Sequence, residues 1–299
     1  MSDRDKPRAD RDKLGAERDK PGAERDKPGA ERDKPGAERD KPGGGEPASA
    51  SADAPAKVLG REPLRPPLIK RFYTLAEVTA EDRPPHRVLL DGRPVRTPKK
   101  QLLAMPSRDL AEAVAAEWAA QGVEINPASM PLTRMVNTTL DGVLGNEDAL
   151  RDDIAAFAMS DLLCYRAEGP SDLVARQAEA WGPVIAWAEA ALGCRFVLGA
   201  GLMPVAQPEP NQGKVLAALA RYDAFRLTPL HVMTTLTGSA LLALATAERA
   251  LTVDAAWAAA HVDEDFQISQ WGEDEEANTR RARRYAEMSA AARLLALVG

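Results

Sequence analysis

The chain has 299 residues, with 39 Lys and Arg against 45 Asp and Glu, a formal net charge of −6 and two cysteines. A nucleic-acid binder would show a basic excess, so that class is disfavoured. Cys164 and Cys194 are too few for a disulfide framework and fit a reducing compartment.

From Asp3 to Gly44 a seven-residue unit repeats: DRDKPRA, DRDKLGA, three copies of ERDKPGA, then ERDKPGG. A coiled coil needs two apolar heptad positions, and this unit offers only alanine. Pro7, Pro21, Pro28, Pro35 and Pro42 would interrupt a helix every two turns. Gly, Pro, Ala and Ser dominate the next stretch, so 1–60 is expected to be a disordered repeat tail and linker. Residues 1–57 hold 14 basic and 14 acidic side chains, which leaves the net charge on the body. The N-terminus has no apolar core of a signal peptide and too many acids for a mitochondrial transit peptide. The most apolar run, 230–247, contains His231, Ser239 and four threonines, so it reads as a core helix rather than a membrane span. A soluble cytoplasmic protein is expected.

Residues 69–105 carry strand patterns. The run 70–75 has β-favouring side chains, and 86–90 and 93–97 flank Asp91-Gly92. Asp-Gly between two such runs signals a type I′ hairpin, because both central residues need positive φ. Pro94 cannot donate to a ladder, which puts its strand at an edge. Residues 101–105 offer one more strand.

From Ser107 the pattern turns helical. Ser107 is the expected N-cap of a helix with Leu110, Val114 and Trp118 on one stripe, ended by Gly122. A Pro-containing loop over 126–131 follows. Helices are expected over 147–164, over 171–192 with a kink at Gly182-Pro183, and over 212–222. The run 196–205 is apolar without helical period, a strand or a buried loop. Thr228-Pro229 is the expected start of one helix to about residue 249, apolar nearly all round and so central to a bundle, with Gly238-Ser239 inside it. Thr252 starts the next helix, and the last spans 273–297 with a Glu276–Arg280 pair. The fold class is α+β: a small antiparallel β domain over 69–105, then a larger all-helical domain over 107–299.

Composition and spacing carry no recognisable catalytic or metal signature. There is no phosphate-binding glycine loop, and Gly199-Ala-Gly201 lacks the third glycine. His86, His231 and His261 are far apart, and no Cys or His spacing fits a metal site. No cofactor or metal is expected. The most informative stretch is 257–276. Trp257, His261, Glu264, Ile268 and Trp271 recur at helical spacing and would share one face of one helix. A carboxylate among tryptophans needs a partner. Either Glu264 is held by a local Arg or helix N-terminus, or it is displayed beside Gln267 and Trp271 for another protein. Glu264 with His261 as a buried acid–base pair is the enzymatic alternative. An adaptor for some other protein is a third.

Several motifs occur in an order that resembles a known family. They are Lys70-Arg71-Phe72-Tyr73, the hairpin Leu90-Asp91-Gly92-Arg93-Pro94-Val95 with Thr97-Pro98, Glu117-Trp118 with Gln121, and Met130-Pro131-Leu132-Thr133-Arg134 with Asn137-Thr138. Asp161-Leu162-Leu163-Cys164-Tyr165-Arg166 and Phe266-Gln267 with Trp271-Gly272 complete the set. Over residues 69–297 the chain resembles the assembly chaperones of the F-type ATP synthase, in the branch that protects the free alpha subunit. The resemblance implies a β domain and a helical domain, no enzymatic activity and no cofactor. It implies alpha subunit as partner, held until assembly, and a chain that is monomeric when free. It places the functionally sensitive acid at Glu264, with Gln267, Trp271, Gly272 and Trp118 in or beside the contact and Glu276 as a further member. Bacterial cytoplasm is expected, or the mitochondrial matrix if the source is eukaryotic.

Overall fold

The computed structural model describes residues 68–201 and 203–298. The repeat tail lies outside them.

Two short β1 and β2 strands, Ile69–Lys70 and Ala76–Val78, open the described chain. Between them residues 71–75 are irregular, so the strand expected over 70–75 is broken. The cause is Arg71. Its guanidinium reaches the carbonyls of Tyr73 and Thr74 at 3.0 Å each, which closes the backbone into a loop around the side chain. Strand β3 (His86–Leu90) and β4 (Arg93–Pro94) form the hairpin, with Leu90 opposite Arg93. Asp91 and Gly92 have φ of 46° and 76°, as a type I′ turn requires. The order β2-β3-β4 leaves β4 at an edge, where the missing N–H of Pro94 is harmless. Strand β5 (Ala104–Met105) pairs with the start of β3. Along β3, His86, Val88 and Leu90 are buried and alternate with half-exposed neighbours, the signature of a sheet covered on one face.

The cover is α1, Arg108–Ala119, capped by Ser107. It buries Leu110, Ala111, Val114 and Ala115. Gly122 is not its terminator; the helix ends at Ala119 with Ala120 as its cap, and Arg71 takes the carbonyls of Ala119 and Gln121. Strand β6 (Glu124–Ile125) returns to pair with β1. A 3₁₀ turn, Pro127–Ser129, capped by Asn126, leads to α2, Pro131–Thr138, and a π turn, Thr139–Val143.

The helical part begins with α3, Glu147–Met159. It is shorter than expected because Asp161 caps a separate 3₁₀ turn, Leu162–Cys164. Strand β7 (Tyr165–Arg166) then pairs in parallel with β8 (Gly199–Ala200). Between them α4, Ser171–Leu192, is continuous through Pro183 and stops at left-handed Gly193. The apolar run 196–205 is therefore mostly surface: Val197, Leu198 and Met203 are exposed. Helix α5 is Pro210–Leu219.

Helix α6, Ala224–Thr237, is capped by Asp223, which accepts from the Arg226 amide, so Thr228 and Pro229 lie inside it rather than at its start. Thr228 bonds the Ala224 carbonyl instead, an i−4 contact that satisfies a buried hydroxyl. The long apolar helix is in fact two. Gly238 takes φ +68° and Ser239 caps α7, Ala240–Ala247. Asp161 fixes the break: its carboxylate accepts from the amides of Leu163 at 3.1 Å and Leu241 at 3.0 Å. Burial pushes this acid up to about 6, against the opposing pull of those amides and Ser239. Helix α8 is Val253–Ala260, α9 is Val262–Trp271 and α10 is Glu275–Leu297. Helix α6 is central, packed by α3, α7 and α10. The observed class is α+β, small antiparallel sheets followed by a mostly helical part. Among the described residues, no helix is long and apolar enough to cross a membrane.

Candidate partner-binding site

The stretch 257–271 does not form one helix with one face. His261 has φ −118° and ψ 20° and separates α8 from α9. Trp257 belongs to α8 and is buried, stacked on the His261 ring at 3.9 Å and edge-on to Tyr285. Trp271 ends α9 and is 80% exposed. The two tryptophans that periodicity placed together are on different helices in opposite environments.

Three acids fill the first turn of α9, where the helix dipole favours them. Two are engaged internally. Asp263 accepts from the Gln177 side-chain amide of α4 at 2.6 Å, and Asp265 pairs with Arg281 of α10. Glu264 is different. Its side chain is 42% exposed, so it is not the buried carboxylate of the enzymatic alternative. Its nearest cationic candidate is His261 Nε2, at 3.9 Å, beyond hydrogen-bond range. His261 is buried, and its Nδ1 sits 2.8 Å from the Trp257 carbonyl, which fixes Nδ1 as the donor. In the neutral ring, Nε2 is then a lone pair. Burial holds the His261 pKa below its ordinary value, with the Arg281 and Arg284 charges adding to it, against the Trp257 carbonyl and Glu264. At neutral pH the pair is an imidazole lone pair facing a carboxylate, neither an ion pair nor a proton-transfer couple.

Gln267 is exposed one turn after Glu264, and Trp271 one turn after that. Among the described residues, neither Gln267 nor Trp271 makes a side-chain hydrogen bond. On the inner side Phe266 is buried, with the Arg176 guanidinium 5.3 Å from its ring. Gly272 then takes φ +89° and ψ 178°, a region open essentially to glycine alone, and turns the chain into α10. Asp274 caps α10, and Glu276 is exposed and pairs with Arg280 at 3.1 Å. The structure thus brings Glu264, Gln267, Trp271, Gly272 and Glu276 to one helical corner. Trp118 lies elsewhere, half-buried on α1 and edge-on to Tyr73 at 5.7 Å.

A further apolar surface has no counterpart in the sequence periodicity. Ile69, Phe72 and Val123 are exposed apolar side chains on and beside the β1–β6 ribbon. Phe72 is 69% exposed, whereas Tyr73 next to it is buried. Phe72 and Tyr73 lie in the irregular stretch 71–75, so no strand alternation in the sequence marked which ring would be exposed.

The family model described as "ATP12 chaperone protein" matches residues 70–189. A solved structure from Agrobacterium tumefaciens, described as "a putative chaperone", is 47% identical, with a TM-score of 0.75, covering 79% of this chain and 88% of that one. The Atp12 structure from Paracoccus denitrificans is 39% identical over 77% of this chain and 99% of its own, with a TM-score of 0.73. The chain belongs to the ATP12 chaperone family. A lysine mutant of the P. denitrificans protein has also been solved and superposes with a TM-score of 0.72 at 38% identity. Family membership makes the chain an ATP synthase assembly chaperone.

Proposed function

We propose that this family member binds the unassembled alpha subunit of the ATP synthase and prevents its aggregation until the catalytic head forms. The observation that carries the reading is Trp271, a large aromatic 80% exposed at the end of α9. Exposed tryptophan is enriched at partner contacts. Beside it Glu264 and Gln267 offer a carboxylate and an amide with no strong internal partner. Gly272 and Glu276 complete the corner, and Trp118 supports the scaffold from α1. Such a surface suits a client whose own interface is apolar and aggregation-prone while unpaired. Its relatives come from bacteria, and we place its action in the bacterial cytoplasm.

The test is light scattering of purified alpha subunit on dilution, with and without this protein. Wild type is expected to suppress aggregation at stoichiometric amounts, and Trp271→Ala and Glu264→Lys to suppress it poorly while keeping wild-type circular dichroism. Absence of suppression by wild type would remove the reading. Full suppression by both variants would keep the function and reject the corner.

A further inference from the structure

A second surface lies away from that corner. A cleft of about 620 Å³ opens where the α5–α6 and α7–α8 links meet the end of α10. Arg221, Arg226 and Arg249 line it, over a floor that includes Leu251, Val253 and Leu295. None of its lining residues belongs to the α9–α10 corner.

Two of these arginines sit where the backbone does not favour them. Arg249 has φ +60°. It occupies the residue after the cap of α7: its amide bonds the Thr246 carbonyl at 3.0 Å, and the Ala250 amide bonds that of Ala245 at 2.8 Å. Glycine is the usual occupant of this position because a side chain there is strained. The molecule follows that preference at Gly193 after α4 and Gly238 after α6, each left-handed. Arg226 lies in the first turn of α6, where the dipole opposes a cation. Neither Arg226 nor Arg249 has an acidic partner within 4.0 Å among the described residues. Arg221 does, in Glu248, which also accepts from the Tyr222 hydroxyl. A strained backbone and an unfavourable dipole position thus leave two guanidiniums without acidic partners beside an apolar floor, in a chain of net charge −6.

We propose that this cleft binds a peptide segment of a partner protein in which carboxylates alternate with apolar side chains. Guanidiniums pair carboxylates in a planar, two-point geometry, and the floor accepts the apolar neighbours. A small phosphate ligand suits the cleft less well. Two helix starts border the cleft, and in each a side chain of the chain itself already takes an amide, Asp223 that of Arg226 in α6 and Thr252 that of Ala255 in α8, so the guanidiniums are its principal anion-binding groups.

Fluorescence anisotropy on the full chain tests this, with a labelled octapeptide alternating Glu and Leu and a Gln–Leu peptide of equal length. The Glu–Leu peptide is expected to bind with an affinity that falls as salt rises, and the Gln–Leu peptide at least tenfold more weakly. Arg226→Ala and Arg249→Gly are each expected to weaken binding about tenfold. Arg249→Gly should melt at or above wild type, because glycine relieves the left-handed strain; a purely structural arginine would give a lower melting temperature and overturn the proposal. Equal affinity for the two peptides, no binding of either, or wild-type affinity in Arg249→Gly would overturn it as well. Displacement by inorganic phosphate beyond that of chloride at equal ionic strength would reassign the cleft to small anions.

Discussion

The seam between the β strands and α1 and the corner between α9 and α10 both carry family motifs, yet their residues behave in opposite ways. In the seam most polar motif side chains have a partner inside the molecule, the buried Trp118 Nε1 being an exception. Arg71 ties the end of α1, and the Tyr73 hydroxyl donates to the Trp118 carbonyl at 2.7 Å. Glu117 receives the Leu132 and Thr133 amides at 2.8 Å and the Thr133 hydroxyl at 2.7 Å, and so caps α2 from a distance. Asp91 takes the Thr74 and Leu75 amides. Arg71, Tyr73, Asp91 and Glu117 thus each have a folding role. At the corner Glu264, Gln267 and Trp271 point outward and stabilise little. A motif residue with no internal role is a better candidate for a partner contact than one whose bonds are already filled.

The sharpest break of that contrast is Glu117→Ala. It removes a charged acceptor from three donors and leaves the α2 N-terminus uncapped, so a loss of about 2–3 kcal/mol in urea unfolding is expected. A change below about 0.5 kcal/mol would show that the seam is less dependent on its motifs than its bonds imply. Gly272→Ala comes next. A Cβ there meets nothing within 4 Å, so the cost is backbone strain alone, about 1–3 kcal/mol by thermal melts.

Acidification probes the corner through His261. Its folded pKa lies below the ordinary 6.5, so the unfolded chain binds the extra proton first. Its contribution to stability is therefore complete above pH 6.5 and is lost as pH falls through the lower folded value. Asp161 acts in the opposite sense: with a folded value of about 6 against 3.8, it favours the fold as pH drops across that interval. Denaturation at a series of pH values should give a decline below pH 6.5 that weakens in His261→Gln and deepens when Asp161 is replaced.

The smallest effect on stability is expected from Trp271→Ala and Glu264→Lys, each within about 0.5 kcal/mol of wild type because neither side chain is buried or internally bonded. A loss of several kcal/mol in either would move the corner into the class of the seam.

The sequence determined the order of sheet then helices, the Asp91-Gly92 hairpin with Pro94 at its edge, the Ser107 and Thr252 caps, and the span of α4. Each follows from neighbours within a few residues: a turn needing positive φ, a side chain capping its own helix, a long apolar period. It also assembled the corner residues by spacing, since Glu264, Gln267 and Trp271 are close along one helix. Tertiary structure alone decided what depends on distant partners. Asp161, far away in sequence, helps split the apolar run at Gly238. Arg71 breaks the first strand by turning to α1. The parallel β7–β8 pair is two residues long on each side, too short to register in any period. His261 ends α8 although the pattern runs through it, because its ring turns inward to the Trp257 carbonyl. That inward turn buries one tryptophan and leaves the other exposed, a difference that helical spacing, which counts residues and not surroundings, had no means to express.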